Sequence, residues 1–262
     1  MTDWQQLTAP ELADRVTDGT VAVMALGAIE QHGPHLPLDT DTVIAEGLLA
    51  AASARLDPGV DALALPTQAV GASDEHASFA GTLTLGASAF AGVLEALGAA
   101  VAQAGIRRMV WLNGHGGNRA AMDIAALALR RRFGLLVVKC SYPRLGLPDG
   151  LAGAVDVDRG FHGGWLETAL MLHLAPARVR AEAVADFAAR HVDGRERAPV
   201  APEGPVPFAW LAEDLNPQGV IGRASAATAE DGARLVEFYA GRIAEVIAET
   251  AVLDLAGFEA RR

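Results

Sequence analysis

Val21-Ala-Val-Met-Ala-Leu26 is an unbroken apolar run closed by Gly27. A strand with one face in water alternates apolar and polar residues, so this run predicts a strand covered on both faces. Three further runs are mostly apolar. Asp61–Leu65 closes at Pro66, Met109–Leu112 follows Arg107-Arg108 and ends at Asn113-Gly114, and Leu135–Cys140 follows Gly134 and carries Val137-Val138. Between them lie segments rich in Ala and Leu at spacings of three and four, which predict helices over Thr42–Arg55, Ala87–Ala104 and Arg119–Arg132. Alternating strand and helix predicts an α/β protein with a mostly parallel central sheet and helices on both faces. Ligands of such sheets bind beyond the carboxyl ends of the strands, so the polar loops after the first and third strands converge in space.

Beyond Cys140 the pattern loosens through Pro143 and Pro148, then predicts helices over Trp165–Leu174 and Thr228–Thr250. Residues 193–219 hold five prolines and three glycines, which predicts a long ordered loop rather than a flexible linker. The chain of 262 residues, 51% apolar and 20% charged, is long enough for a sizeable core, and one domain over residues 1–262 is expected.

A net charge of −11 repels a phosphate backbone and argues against nucleic acid as a partner. A single cysteine, Cys140, leaves no internal disulfide and fits a reducing compartment, so a cytoplasmic location is expected. Met1–Glu11 lacks the basic patch and apolar run of a secretory signal. Ala89–Val101 is interrupted by Gly92, Glu95 and Gly98 and is too short to span a membrane. No membrane partner is expected.

Four polar segments stand out. Gly27–Thr42 holds Glu30, His32, His35, Asp39 and Asp41, a mixture of carboxylate and imidazole that suits zinc, manganese or iron. Residue by residue, blander roles are open: Asp41 or Thr40 as a helix cap, His35 bonded to a nearby carbonyl. Asn113-Gly-His-Gly-Gly-Asn118 lacks a P-loop lysine, which leaves His115 as a metal ligand or an incidental histidine in a tight turn. In Gly160–Thr168, His162 precedes a helix that carries Glu167, itself either functional or facing solvent. In Gly71–Thr82, Glu75 and His76 either shape a pocket and orient a ligand or form a polar surface turn. His173 and His191 stand apart from any cluster. Cys140 ends a strand without nucleophile partners and is expected to be inert. The absence of G-x-S-x-G weakens a serine-hydrolase assignment.

Taken in order, Glu30-Gln-His-Gly-Pro-His-Leu-Pro-Leu-Asp-Thr-Asp41, Glu75-His76 before Phe79-Ala-Gly-Thr82, Asn113–Asn118 and His162–Thr168 resemble the creatininase family over roughly residues 5–250. The resemblance implies a three-layer α/β/α fold, a homohexamer and two divalent metal ions per chain. It implies that Glu30 and His115 bind one ion and His32 the other, with Asp41 bridging. The family's namesake carries a further glutamate two residues after the loop histidine. Here that position is Gly117, and the resemblance moves the missing ligand to Glu167.

The activity implied is hydrolysis of a small amide, cyclic amide, formamide or short peptide by a metal-activated water. His162 serves as general acid and Glu75 belongs to the catalytic set, with His76, Gly116, Gly117 and Trp165 binding substrate. Because Gly116 and Gly117 replace an aromatic residue and a glutamate, both side chains are expected to be missing from that wall. A longer substrate than creatinine is therefore expected. Competing assignments are peptide cleavage of the mycofactocin-maturation type, an inactive metal-stabilised binding protein, and phosphate-ester hydrolysis. The last is disfavoured because no Arg or Lys accompanies the acidic cluster.

Overall fold

A computed structural model describes residues 1–151, 160–190, 199–203 and 205–259. His191 and parts of the proline-rich stretch, residues 193–198 and 204, lie outside the described residues.

Five parallel strands form the central sheet: β1 (Thr2–Asp3), β2 (Val21–Leu26), β3 (Ala62–Ala64), β4 (Arg108–Asn113) and β5 (Leu136–Ser141), in the order β1-β3-β2-β4-β5. The central pair runs in register from Val21 opposite Arg108 to Leu26 opposite Asn113. Both strands are buried along their whole length, as unbroken apolar runs require. β5 departs from that expectation. It lies at the sheet edge, and most of its residues are only partly buried.

Because side chains alternate along a strand, β2 feeds two cores. Val21, Val23 and Ala25 join Val110 and Leu112 against α2 (Thr40–Arg55), α5 (Trp165–Leu174) and α7 (Ala229–Val252). Ala22, Met24 and Leu26 join Met109 and Trp111 against α3 (Ala87–Gln103) and α4 (Arg119–Phe133). The result is a three-layer α/β/α arrangement. Each large side chain sealed in these cores, such as Phe90 or Ile44, contributes about 1.5–3 kcal/mol of hydrophobic stabilisation.

Local signals set the helix ends. Thr228 caps α7, its hydroxyl accepting from the N–H of Asp231 at 3.0 Å. Gly134 ends α4 with φ 64°, the left-handed conformation a helix stop needs. α1 (Ala9–Arg15) adds a helix the sequence reading passed over, held by a reciprocal cap between Thr8 and Glu11.

The proline-rich stretch carries short elements: β6 (Val200–Ala201) paired with β7 (Val206–Pro207), then α6 (Ala212–Leu215). Leu215 packs with Ala189 and Ile221, and Phe161 and Trp210 pack against that group. A small core thus holds this stretch over the carboxyl end of the sheet. Among the described residues no helix is long and apolar enough to cross a membrane.

Candidate metal centre

Each segment singled out by composition follows a strand or opens a helix at the carboxyl edge of the sheet. Glu30 and His32 follow β2, Glu75 and His76 follow β3, and His115 follows β4. Asp41 lies in the first turn of α2, His162 precedes α5, and Glu167 lies in the first turn of α5. The Asn118 carboxamide ties three of these loops together. It donates to Gly27 O and to Asn113 Oδ1, and accepts from the N–H of Ala72, each at 3.0 Å. Gly114 is required by close approach, because a Cβ there would lie 2.6 Å from Asp41 O.

The side chains converge. His115 Nε2 lies 3.1 Å from Glu30 Oε2, and His115 Nδ1 lies 3.3 Å from Asp41 Oδ2. His32 Nε2 lies 3.4 Å from Asp41 Oδ1 and 3.9 Å from Glu167 Oε2. His32 donates from Nδ1 to the carbonyl of Glu30 at 3.1 Å, which leaves Nε2, once deprotonated, as the ligating atom. Glu167 is nearly buried and accepts from the N–H of Gly163 at 2.5 Å, so it does not face solvent.

Both carboxylate oxygens of Glu30, Oδ2 of Asp41 and Nε2 of His32 are buried without a hydrogen-bond partner. Such groups are costly and rare in a folded protein. Here they belong to two triads that share one carboxylate, Glu30/Asp41/His115 and His32/Asp41/Glu167, with the ligating atoms of each within 4.8 Å of one another. A third group, Glu30/His32/His162, overlaps both. Carboxylates and imidazoles at this spacing fit a divalent transition metal.

The electrostatics agree with a cation site. Burial works against a charged His32, but the carboxylates of Asp41, Glu167 and Glu30 outweigh it and raise the imidazole to about 9. Burial also opposes charge on His115, and Glu30 and Asp41 drive it well above the ordinary range. Asp41 is held below the usual carboxylate range because His32 and His115 overcome its burial. Glu167 is raised by burial and by the neighbouring Asp41 and Glu30. Burial, reinforced by His76 and His32, holds His162 well below its ordinary value and therefore neutral.

The blander roles fail for specific reasons. Asp41 is no cap, since the N-cap of α2 is Asp39 and the Asp41 carboxylate faces two histidines. Asp39 leaves the cluster to pair with Arg178 at 2.5 and 2.7 Å. His35 does stay out of the cluster: it bonds Thr168 Oγ1 at 3.0 Å, has the Gly163 backbone as a further hydrogen-bond partner, and stacks on Phe187. Glu75 and His76 form no surface turn: Glu75 Oε1 lies 3.4 Å from His115 Nε2, and His76 Nε2 lies 3.4 Å from Glu30 Oε1. Cys140 is buried, and burial pushes its thiol up to about 11, in keeping with an inert residue.

A cavity of about 580 Å³ opens beside the cluster, with Glu75, His76, His115, His162 and Glu167 on its polar wall. Three expectations need correction here. Trp165 does not line the cavity. It is fully buried in the core of the α2/α5/α7 layer and donates to Asp231 at 3.3 Å, and the cavity's aromatic wall is Trp210 with Phe161, 5.3 Å apart.

The second correction concerns the two glycines, which both line the cavity. A Cβ at Gly116 would meet nothing within 4 Å, whereas one at Gly117 would lie 2.4 Å from Ala72 O and 2.5 Å from Glu75 Oε1. The wall has one gap, not two, because Glu75 fills the other. Third, cations do accompany the acidic cluster. Arg119 and Arg144 line the cavity, with Arg119 paired to Glu203 at 3.0 Å.

The family model for creatininase, creatinine amidohydrolase, matches residues 5–247. The mycofactocin precursor peptide peptidase of Mycobacterium tuberculosis (strain CDC 1551 / Oshkosh) is 37% identical over 219 residues, covering 81% of this chain and 78% of that protein. The creatinine amidohydrolase of Pseudomonas putida is 28% identical over 266 residues, covering 93% and 95%. A solved manganese creatininase superposes with a TM-score of 0.72 at 26% identity, covering 95% of this chain and 98% of that one.

Proposed function

We propose, on the premise that this chain belongs to the creatininase family of hydrolases acting on C–N bonds, that it cleaves a peptide or substituted amide at a dinuclear metal centre. The observation that carries this is Asp41, a buried carboxylate common to two ligand triads. Glu30, Asp41 and His115 would hold one divalent ion, and His32, Asp41 and Glu167 the other, with zinc, manganese or iron suited to the donor set. Bound there, the ions supply a water acidified toward neutrality and polarise the amide carbonyl.

The chain's own residues do the rest. His162, neutral and with Nε2 bonded to the carbonyl of Gln31 at 2.8 Å, takes the proton of the attacking water on Nδ1 and returns it to the leaving nitrogen. Glu75 orients His115 from the cavity side. His76 and Gly116 bound the substrate space together with Trp210 and Phe161. The size of the cavity, its opening at Gly116 and the greater identity to a peptidase support a substrate longer than creatinine. The cytoplasmic location and the hexamer implied by the resemblance belong to the same proposal. Ile124 and Leu127, exposed on α4, support a partner surface.

The test is elemental analysis and turnover after zinc or manganese loading, with creatinine, dihydropyrimidines, formamides, short peptides and phosphomonoesters. Two ions per chain and peptide or amide hydrolysis are expected, with kcat/KM for creatinine below about 10⁴ M⁻¹s⁻¹. One ion or fewer with full activity defeats the dinuclear assignment. Full metal content without any turnover makes the protein an inactive binder, and phosphomonoester turnover alone makes it a phosphatase.

A further inference from the structure

Gln31 lies in sequence between two metal-ligand candidates, yet its buried side chain bonds neither of them. Both ends of its carboxamide are fixed. Oε1 accepts from the N–H of Gly33 at 3.0 Å, and Nε2 donates to the carbonyl of Gly219 at 2.7 Å. Exchanging O and N would set donor against donor and acceptor against acceptor. Gly219, with φ +75°, leaves no slack, because a Cβ there would lie 2.3 Å from Gln31 Oε1.

One amide hydrogen remains, and two ring nitrogens are within reach: His76 Nδ1 at 2.9 Å and His162 Nε2 at 3.1 Å. His162 Nε2 also lies 2.8 Å from the main-chain carbonyl of Gln31, which can only accept. That nitrogen therefore carries a hydrogen and cannot receive one. The spare amide hydrogen goes to His76 Nδ1, so His76 carries its proton on Nε2.

We infer that Gln31 is a positioning residue that gives two stacked imidazoles opposite duties, His76 as a hydrogen-bond donor and His162 as an acceptor. Both rings are Nε2–H tautomers, with centroids 4.1 Å apart, but they turn different nitrogens toward Glu30. His76 presents Nε2–H at 3.4 Å from Glu30 Oε1, and His162 presents a bare Nδ1 at 3.6 Å from the same oxygen. Both histidines line the cavity. A neutral N–H at the cavity wall can donate to the carbonyl oxygen of a scissile amide as negative charge develops on it. The bare nitrogen beside it accepts a proton. This catalytic consequence rests on the hydrolase proposal, whereas the tautomers do not.

Two-bond ¹H–¹⁵N correlation spectra of protein labelled at the histidine rings, metal-free and zinc-loaded, test the assignment directly. His76 and His162 are both expected as Nε2–H in the parent. A parent protein with Nδ1–H on His76 would overturn the inference without any variant having to fold. In Gln31→Leu, His76 should lose its fixed tautomer while His162 keeps its own, which the main chain holds. kcat should fall about 10- to 100-fold with KM and metal content little changed. Gln31→Glu, whose carboxylate only accepts, should move the His76 proton to Nδ1 with a similar loss. An unchanged His76 tautomer or unchanged kcat in both variants would also overturn the inference. A parent without turnover would count against the hydrolase proposal, and its spectra would still decide the tautomers.

Discussion

At the amino end of β4, Arg108 is buried and each of its three guanidinium nitrogens donates: Nε bonds Thr250 O at 3.0 Å, Nη2 bonds Leu253 O at 2.9 Å, and Nη1 bonds Asp18 O. Nearby, Asp61 accepts from Thr20 at 2.5 Å and from Arg15 at 3.0 Å. At the carboxyl end of the same sheet, Glu30, His32 and Asp41 are at least as deeply buried, yet four of their polar atoms have no hydrogen-bond partner. Both ends bury polar groups. One closes its hydrogen bonds within the chain and ties the end of α7 to the sheet. The other leaves them open, which costs about 1–3 kcal/mol per unpaired group and is sustained by what the site binds. Satisfaction, more than burial, separates a structural polar cluster from a functional one.

Asp41→Ala is the most severe way to break this contrast. It should abolish retention of both metals and all measurable turnover, and the metal-free fold should also lose stability, because His32 and His115 lose the buried carboxylate that offsets their charge. Elemental analysis and thermal melting check both halves, and a variant that kept its metals would sink the bridging role. His162→Asn should keep the metals and slow hydrolysis by roughly 10²- to 10⁴-fold. Loss of a metal in that variant would make His162 a ligand, as the Glu30/His32/His162 grouping allows.

Arg108→Met tests the opposite end. It leaves three carbonyls unpaired, and about 3 kcal/mol of stability should be lost. Turnover per folded molecule should be unchanged. Reduced kcat in molecules shown to be folded would mean the two ends are coupled.

The smallest effect is on pH. In the metal-free protein His32 is raised to about 9 from 6.5, and His115 is raised as well. Each binds its proton more tightly folded than unfolded, so the stabilisation is complete below 6.5 and is lost as pH rises through the folded values. The melting temperature of metal-free protein should therefore fall between pH 6.5 and about 9. Metal ligation requires neutral imidazoles, so loading near neutral pH should release protons. Titration calorimetry in buffers of different ionisation heat measures this, and zero release would contradict the charged state assigned to the two histidines.

Much of the fold was legible because buried strands and Ala-rich helices write their period into the chain. β2, β4 and α5 fall where the apolar runs put them. α2 begins at Thr40 rather than Thr42, since its first turn is made of ligand-bearing polar residues that carry no apolar period. α1 was missed despite the Thr8-x-x-Glu11 signature, and β1 is too short to leave a pattern.

The metal-binding candidates were legible because Glu, His and Asp are dense in an otherwise apolar chain. Trp210 was not, because it sits in a stretch without period whose place over the site depends on packing far along the chain. Trp165 misled for a related reason: adjacency to His162 in sequence says nothing about which side of α5 meets the core. Gln31 was in view within the first motif, but its importance lies in a partner at Gly219 that no local spacing reveals.

Asn118 carries one more consequence. Its single carboxamide answers to loops following β2, β3 and β4 at once, so a residue inserted into or deleted from any of them would pull it off the other two. Changes of length on the metal-holding side are thereby penalised together. Residues 199–203 and 205–211 face the same cavity through Glu203 and Trp210 and carry no such three-way tie. A change of length on this wall would disturb fewer hydrogen bonds than one in the loops that Asn118 joins.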